Sequence, residues 1–483
     1  MNTNTPENMS DTHSDRDTSD IGSQAIIIIG AGWSGLACAV TLADQGYKVC
    51  LLESNHQTGG RARKVRFKNF LADQSLDNGQ HIMLGAYHSS IALFKQLGIK
   101  TAEILQRQRL EFNMYSPENS LIQLKVSFLP APLHLLTALM KMKGLNRLER
   151  FIIIKMALKL TLTAYKLKDD ISVSELLKKH SQTTKTIAAL WEPLCLATMN
   201  TPIKYASAQV FLNVLKDSFN NKNDDSDLLF FRQNLSRVFC EPAADFINQH
   251  GGMLKCGEKV TEISYLSPEL TQNQASEFLI KTNKSFFKSH TIVLATPAHI
   301  SRQLLQRLSV QDLLNKQALL KPAHASLDFQ YEPICTIYLQ YPASTRLPQQ
   351  MVGLFNSKAQ WAIDRSLTNQ SGLIAVIISG PGEHIQMTHK LIADTVHQEL
   401  CLCVCNLPPL LNYQVITEKR ATFSCRVNIE QQRPVNETNI PGLFLAGDYT
   451  DTHYPSTLEG AIRSGQSAAK KIIEINPNSH FTL

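Results

Sequence analysis

Gly30-Ala31-Gly32-Trp33-Ser34-Gly35 has the spacing of a phosphate cradle. The apolar run Ala25 to Ile29 precedes it, and helix-compatible sequence from Leu36 to Gln45 follows, closed by Gly46. Gly30 permits the tight turn, Gly32 lets the backbone approach a pyrophosphate, and Gly35 allows close helix–strand packing. Amides at the start of such a helix attract phosphate charge. Lys48 to Glu53 reads as the next strand. Glu53, followed by Ser54, ends it about twenty residues on, where a carboxylate accepts ribose hydroxyls. The chemistry indicated is dinucleotide binding.

A second segment narrows the dinucleotide. Thr58-Gly59-Gly60-Arg61-Ala62 follows Glu53 after a few residues. Paired glycines can approach another face of the pyrophosphate, and Arg61 offers it a forked charge. This favours FAD over NAD. Near the other end, Leu443 to Ala446 reads as a strand running into Gly447-Asp448, and Leu458 to Ile473 as a helix with small residues on one face.

The elements that must position these segments belong to a chain of 483 residues, long enough for two or more packed lobes. Hydrophobic residues make up 43% and charged residues 18%, as in ordinary globular proteins. The net charge of +7 suits an anionic cofactor or membrane surface but is too mild to imply nucleic acid, and no basic stripe interleaves with aromatics. Ten cysteines are scattered without zinc spacing, so no metal site is expected. They read as small buried hydrophobes in a reducing cytosol. Ala25 to Ala43 is uncharged and about long enough to span a bilayer, yet its glycine-rich middle makes a strand, turn and buried helix the better reading.

Residues 1–23 read as a disordered polar tail without secretory character. Phe128 to Lys168 looks helical. Met253 to Ile263, Glu277 to Lys281, Thr291 to Ala295, Ile334 to Gln340 and Leu373 to Ser379 look like strands, and Asn220 to Asp227 like a polar acidic loop. Two cofactor-binding ends separated by a long middle imply interleaved domains. The expected division is a cofactor domain of 24–100, 236–300 and 415–475, with a substrate domain of 101–235 and 301–414.

GxGxxG, then an acidic residue, then GGR, resembles the superfamily of FAD-dependent amine oxidases, phytoene desaturases and protoporphyrinogen oxidases. Leu445-Ala446-Gly447-Asp448 and Glu459-Gly460-Ala461 through Ser464-Gly465 resemble its C-terminal flavin segment. A narrower resemblance, to the hydroxysqualene dehydroxylases (squalene-associated FAD-dependent desaturases), runs from about residue 25 to 473. It is carried by Leu76-Asp77-Asn78-Gly79-Gln80-His81, Leu84-Gly85-Ala86-Tyr87, Trp191-Glu192-Pro193-Leu194-Cys195-Leu196-Ala197 and Asn200-Thr201-Pro202. Further on lie Thr336-Ile337-Tyr338-Leu339, Gln360-Trp361 with Asp364-Arg365, Arg420-Ala421-Thr422-Phe423, and Tyr454-Pro455-Ser456-Thr457-Leu458-Glu459-Gly460.

The resemblance implies an α/β fold: a Rossmann-like, glutathione-reductase-type FAD domain with an interleaved α+β substrate domain of mixed sheet plus helices. It implies cofactor contacts from Gly30, Ala31, Gly32, Trp33, Ser34, Gly35, Glu53, Ser54, Gly59, Gly60, Arg61, Ala62, Gln80, His81 and Val260. At the C-terminal end it adds Gly447, Asp448, Thr457, Leu458 and Glu459. Asp448 would hold the ribityl or phosphate end, and the helix start at Thr457 to Glu459 would face the flavin pyrimidine. The implied activity is reductive removal of the hydroxyl of hydroxysqualene to give squalene, in hopanoid synthesis. An acid is wanted for the departing hydroxyl, and His81, Asp451, His453 and Tyr454 are the candidates. No SGGCY-like stretch offers a flavin-linking cysteine, so the FAD is expected to be non-covalent. Thr457 stands where the amine oxidase branch carries a channel-walling aromatic.

The partners expected are a lipophilic isoprenoid and an unidentified electron donor, since only one dinucleotide fingerprint is present. Phe128 to Lys168 holds six lysines and two arginines against one acid, interleaved with large apolar residues. It reads either as a basic amphipathic pair on an anionic bilayer, giving a cytoplasmic protein peripheral to the inner membrane face, or as substrate-domain helices with snorkelling lysines. Rival readings are a carotenoid-type desaturase, a flavin amine oxidase, and a non-catalytic prenyl-binding protein of the same fold.

Overall fold

The computed structural model describes residues 24–70, 75–118, 120–266, 276–310, 327–404 and 406–476. The tail expected at 1–23 lies outside them. Ile26–Ile29, Val49–Glu53, Met253–Cys256, Ile292–Leu294 and Leu443–Leu445 form a five-stranded parallel sheet, with Ile26–Ile29 at its centre. Every residue of Ile26–Ile29 is buried, as expected of a strand covered on both faces. Helix Trp33–Asp44 starts three residues earlier than the sequence suggests and packs against the C-terminal helix Leu458–Ile475. Gly465 makes that contact close: a Cβ there would lie 2.1 Å from the Ser34 carbonyl oxygen. The uncharged stretch from Ala25 to Ala43 is thus strand, turn and buried helix. Among the described residues no helix is long and apolar enough to cross a membrane.

Met253 to Ile263 is two strands rather than one. Gly257, at φ +72°, breaks it, so Met253–Cys256 joins the parallel sheet while Val260–Leu266 joins a four-stranded sheet. A seven-stranded mixed sheet runs, in order, through Asn412–Phe423, Tyr331–Gln340, Leu373–Ser379, Trp361–Asp364, Met351–Leu354, Glu111–Tyr115 and Leu121–Lys125. Pro333 has no N–H for the ladder, and the register shifts between Glu332 and Ile334 to accommodate it. Phe128 to Lys168 contains two helices, Leu133–Met140 and Arg147–Leu162. The second starts at a capping box in which Asn146 and Glu149 exchange hydrogen bonds.

The expected polar acidic loop at Asn220 to Asp227 is there, but part of it is packed into the protein. Asn223–Ser226 is a 3-10 turn, and Asp225, Ser226 and Asp227 are buried. Their charges have partners that lie far off in sequence: Asp225 pairs with His88 at 2.9 Å and Asp227 with Arg107 at 3.1 Å. Among the described cysteines none is paired; seven are buried, with Cys256 and Cys401 partly so.

Candidate active site

The glycine turn and the second glycine pair lie against each other. Gly32 and Gly59 form a parallel bridge, and the Gly59 amide donates to the Ala31 carbonyl at 2.8 Å. Gly30 (φ +106°) and Gly35 serve the protein itself. A Cβ on Gly30 would lie 2.7 Å from the Ala295 carbonyl oxygen, and one on Gly35 only 2.0 Å from the Gly30 carbonyl oxygen. Gly32 differs: the nearest heavy atom to a Cβ there is the Gly60 Cα at 4.0 Å. Its smallness leaves room for a ligand rather than for protein. Glu53 is buried, accepts the Ala31 amide at 2.8 Å through Oε2 and holds Asn55 through Oε1.

A cavity of about 720 Å³ begins at these loops. Gly30, Gly32, Trp33, Ser34, Glu53, Ser54, Gly59, Gly60, Arg61, Ala62, Gln80, His81, Val260, Gly447, Asp448, Thr457 and Leu458 all line it. Ala31, Gly35 and Glu459 do not. Ala31 is fully buried behind the turn, and Gly35 is spent on the helix–strand contact. The Glu459 carboxylate points away, accepting from the Ser89 amide, the Ser90 amide and hydroxyl, and Arg463. The reason is its place on the helix, one residue past Leu458 and so turned towards the helix His88–Gln96. The residues fit a dinucleotide. Ser34 Oγ is buried on the wall with no hydrogen-bond partner, and the 18-residue helix Leu458–Ile475 presents its N-terminus to the same cavity, capped by Thr457.

Three motifs that are far apart in sequence meet at Arg61. Its guanidinium donates to Asp448 Oδ1 at 2.7 Å and to the Ala421 carbonyl at 2.6 Å. The Asn78 side chain donates to the Arg61 carbonyl at 3.1 Å, tying the Asp77-to-His81 loop to the glycine pair. That loop is held from below by a buried ion pair, Asp77 with Arg365 at 3.1 Å, both side chains at most 4% exposed. Arg365 also donates to Gln80 Oε1 and to Gln370 at 2.9 Å, and the Tyr338 hydroxyl donates to the Asp77 carbonyl at 2.9 Å.

Of the four acid candidates only His81 lines the cavity. Its Nδ1 lies 2.7 Å from the Gly79 carbonyl oxygen, an acceptor, so Nδ1 carries the hydrogen. Burial lowers its pKa, Arg61 adds to the lowering, and the Gly79 hydrogen bond and Asp77 charge oppose it. The other three are corrections. His453, at φ +56°, is exposed and pairs with Glu430 at 3.2 Å and Asp451 at 3.3 Å. The three form a surface cluster whose ligand atoms lie within 4.8 Å of one another, off the cavity wall. Tyr454 is buried, its hydroxyl without a partner and its ring edge-on to Tyr87. The left-handed turn at His453 carries the chain outwards before Tyr454 returns to the core.

Sequence reasoning missed Arg433. It is 5% exposed and donates to the carbonyls of Asp448, Tyr449, Thr450 and Tyr454 and to the Thr452 hydroxyl, clamping this loop from inside. The only available signal is an arginine in a stretch otherwise short of positive charge. Asn200, left-handed at φ +51°, similarly explains the Asn200-Thr201-Pro202 run. It donates to the Glu332 and Pro333 carbonyls and to Thr422, and accepts the Gly380 amide.

Beyond the loops the cavity continues as an apolar chamber. Phe112, Leu135, Leu139, Ile153, Leu160, Trp191, Leu194 and Val214 contribute to its wall. Every charged residue on the cavity wall is Glu53, Arg61, Arg63, His81, Glu258, Lys259, Glu418 or Asp448. None comes from the helices that build the chamber. A π-helical turn, Ile187–Trp191, places Trp191 there with its indole N–H bonded to Gln182 at 2.8 Å.

Comparison with known proteins gives this geometry a family. The sequence profile for flavin containing amine oxidoreductase matches residues 33–473. The chain is 24% identical to the hydroxysqualene dehydroxylase of Zymomonas mobilis over 92% of its own length and 97% of that protein. It is 27% identical to the hydroxysqualene dehydroxylase of Rhodopseudomonas palustris, over 93% and 99%. It is also 25% identical to the 15-cis-phytoene desaturase of an Oncidium hybrid cultivar, over 93% and 78%. In fold it is similar to the cyclohexylamine oxidase of Brevibacterium oxydans, with a TM-score of 0.66 at 13% identity over 95% and 100% of the two chains. The chain is a flavin-dependent oxidoreductase and belongs to the flavin containing amine oxidoreductase family.

Proposed function

We propose that this enzyme holds FAD non-covalently and removes the hydroxyl of hydroxysqualene reductively, giving squalene. One observation carries the substrate reading: the chamber beyond the glycine loops is apolar and uncharged among the described residues. A cationic amine would need a carboxylate there, since an unpaired buried charge is costly. A neutral hydrocarbon chain needs none. The likeness to two hydroxysqualene dehydroxylases over nearly their whole lengths supports the same reading.

Gly32, Gly59, Gly60 and Arg61 would hold the FAD pyrophosphate, Glu53 the ribose and Asp448 the ribityl or phosphate end. Reduced FAD, when bound, supplies a hydride. The chain's residues do the rest. The apolar wall aligns the isoprenoid and excludes water, which would otherwise capture the substrate cation. The allylic C–O bond breaks as the hydroxyl takes one proton and leaves as water, and the cation is quenched by hydride. Of the four candidate acids, His81 is the one on the cavity wall and would hold that proton. Its lowered pKa makes its protonated form scarcer but a stronger acid.

The test is product identification. Anaerobic incubation of the FAD-reduced enzyme with hydroxysqualene should give squalene, whereas the oxidised enzyme should leave hydroxysqualene intact. Dehydrogenation of phytoene by the oxidised enzyme, with no squalene from the reduced one, would establish the desaturase reading instead. The phytoene desaturase likeness makes that the principal alternative.

A further inference from the structure

We propose that the helices Leu133–Met140 and Arg147–Leu162 dock the enzyme on an anionic lipid bilayer and form the portal through which its substrate arrives. Seventeen large hydrophobic side chains are exposed among the described residues, and eight of them fall between Phe128 and Leu162. On Arg147–Leu162 the exposed residues Leu148, Phe151, Leu158 and Leu162 recur at intervals of three, seven and four, with exposed Lys155 in the gap. That spacing makes one continuous stripe on a helix, about 20 Å long at 1.5 Å per residue. Phe128 and Leu162 are 83% and 87% exposed, so these side chains are not partly covered core.

Charge identifies the occupant. Eight lysines and arginines lie between Phe128 and Lys168, against a single acid, Glu149. Glu149 is buried, and its carboxylate accepts the Asn146 amide at 2.8 Å in the capping box. From Phe128 to Lys168 the described surface therefore presents cations and apolar side chains with no exposed anion, exposed Asp169 coming only after it, a composition that suits an interfacial helix on anionic lipid. A second copy of the chain would bring the same positive charge to this face.

The opposite face of the same helices walls the chamber, through Leu135, Leu139, Ile153, Ala157 and Leu160. Two helices one layer thick thus stand between the docking face and the substrate space. A bilayer-dissolved isoprenoid would pass between them without crossing water.

The test uses the full FAD-loaded enzyme and two variants altered only at exposed positions, Leu148→Ser/Phe151→Ser/Leu162→Ser and Lys155→Glu/Lys159→Glu. Flotation compares phosphatidylcholine vesicles with phosphatidylcholine–phosphatidylglycerol vesicles. The wild type should float with the anionic vesicles and less at high salt. Binding should fall about fivefold per lysine removed and by more than about tenfold in the apolar variant. Turnover of substrate carried in vesicles should fall in parallel, while turnover in detergent micelles stays unchanged. The flotation arm is independent of the reaction proposed above, and only the turnover arm rests on it. A wild type that floats with neither vesicle, or an apolar variant that floats as well as the wild type, overturns the proposal. So does a dimer that the apolar variant dissociates without any vesicle binding. Should the apolar variant fail to fold, the lysine variant decides, since normal flotation of that protein also refutes the proposal.

Discussion

Substituting alanine at three glycines of one turn should separate fold from cofactor binding. At Gly32 the backbone has φ −73°, which alanine adopts freely, and the nearest protein atom to its Cβ would be 4.0 Å away. Gly32→Ala should therefore leave stability to urea within about 0.5 kcal/mol of wild type. The methyl group would instead stand where a pyrophosphate must approach. Losing one charge-assisted hydrogen bond costs about 1.5–3 kcal/mol, which weakens FAD binding by roughly ten- to hundredfold. Gly35→Ala reverses the pattern, because its Cβ would lie 2.0 Å from the Gly30 carbonyl oxygen, and helix and strand must move apart. Gly30→Ala combines a 2.7 Å approach to Ala295 with a φ of +106°, and should lose at least about 1 kcal/mol. The assay is titration of apoprotein with FAD by flavin fluorescence, alongside urea unfolding of the same preparations. A Gly32→Ala protein that is as stable as wild type and binds FAD equally well would refute the assignment of this turn to the pyrophosphate.

Four further outcomes follow from the buried charges. Arg365→Met strands the Asp77 carboxylate and should cost about 3–5 kcal/mol in urea unfolding, with Asp77→Leu/Arg365→Met costing less than the sum of the single changes. Arg433→Leu leaves four buried carbonyls without their donor and should cost at least about 3 kcal/mol, with FAD affinity falling too because Asp448 is in the released loop. Single-turnover rates should rise as pH falls below about 6.5, because His81 must be protonated to act and burial has lowered its pKa; His81→Gln should remove this limb. Burial also lowers the pKa of His134 and His384. The unfolded chain then binds more protons than the folded one as pH falls through about 6.5, so stability should drop there; His134→Phe and His384→Gln should flatten the urea midpoint against pH.

The parts of the site set by local sequence could be read in advance. The strand, glycine turn and helix from Ile26 to Asp44 follow from β-branched residues, three spaced glycines and a helix-forming run, each acting on its neighbours. What could not be read is set by pairs distant in the chain. Asp225 and Asp227 look like loop acids until His88 and Arg107 meet them. Glu459 sits in a flavin segment by sequence, yet Ser89, Ser90 and Arg463 take its carboxylate. Asp451 and His453 were natural acid candidates by position, but His453 is left-handed and exposed, and the two pair with each other off the cavity wall. Arg365 stands in a motif of the resemblance and Arg433 in a stretch otherwise short of positive charge, but neither local sequence shows what they hold, because their partners lie on other elements or on the backbone. The amphipathic stretch from Phe128 to Lys168 is intermediate: its composition is evident, but only packing separates the stripe that walls the chamber from the stripe left outside.

The most direct measurement is an anaerobic titration of the fully reduced enzyme with hydroxysqualene, following return of the yellow oxidised-flavin absorbance. One equivalent of alcohol should reoxidise one equivalent of flavin, with no added oxidant. If the flavin stays reduced while the alcohol is bound, no hydride has moved to carbon, and the reductive dehydroxylation proposed for this enzyme is wrong.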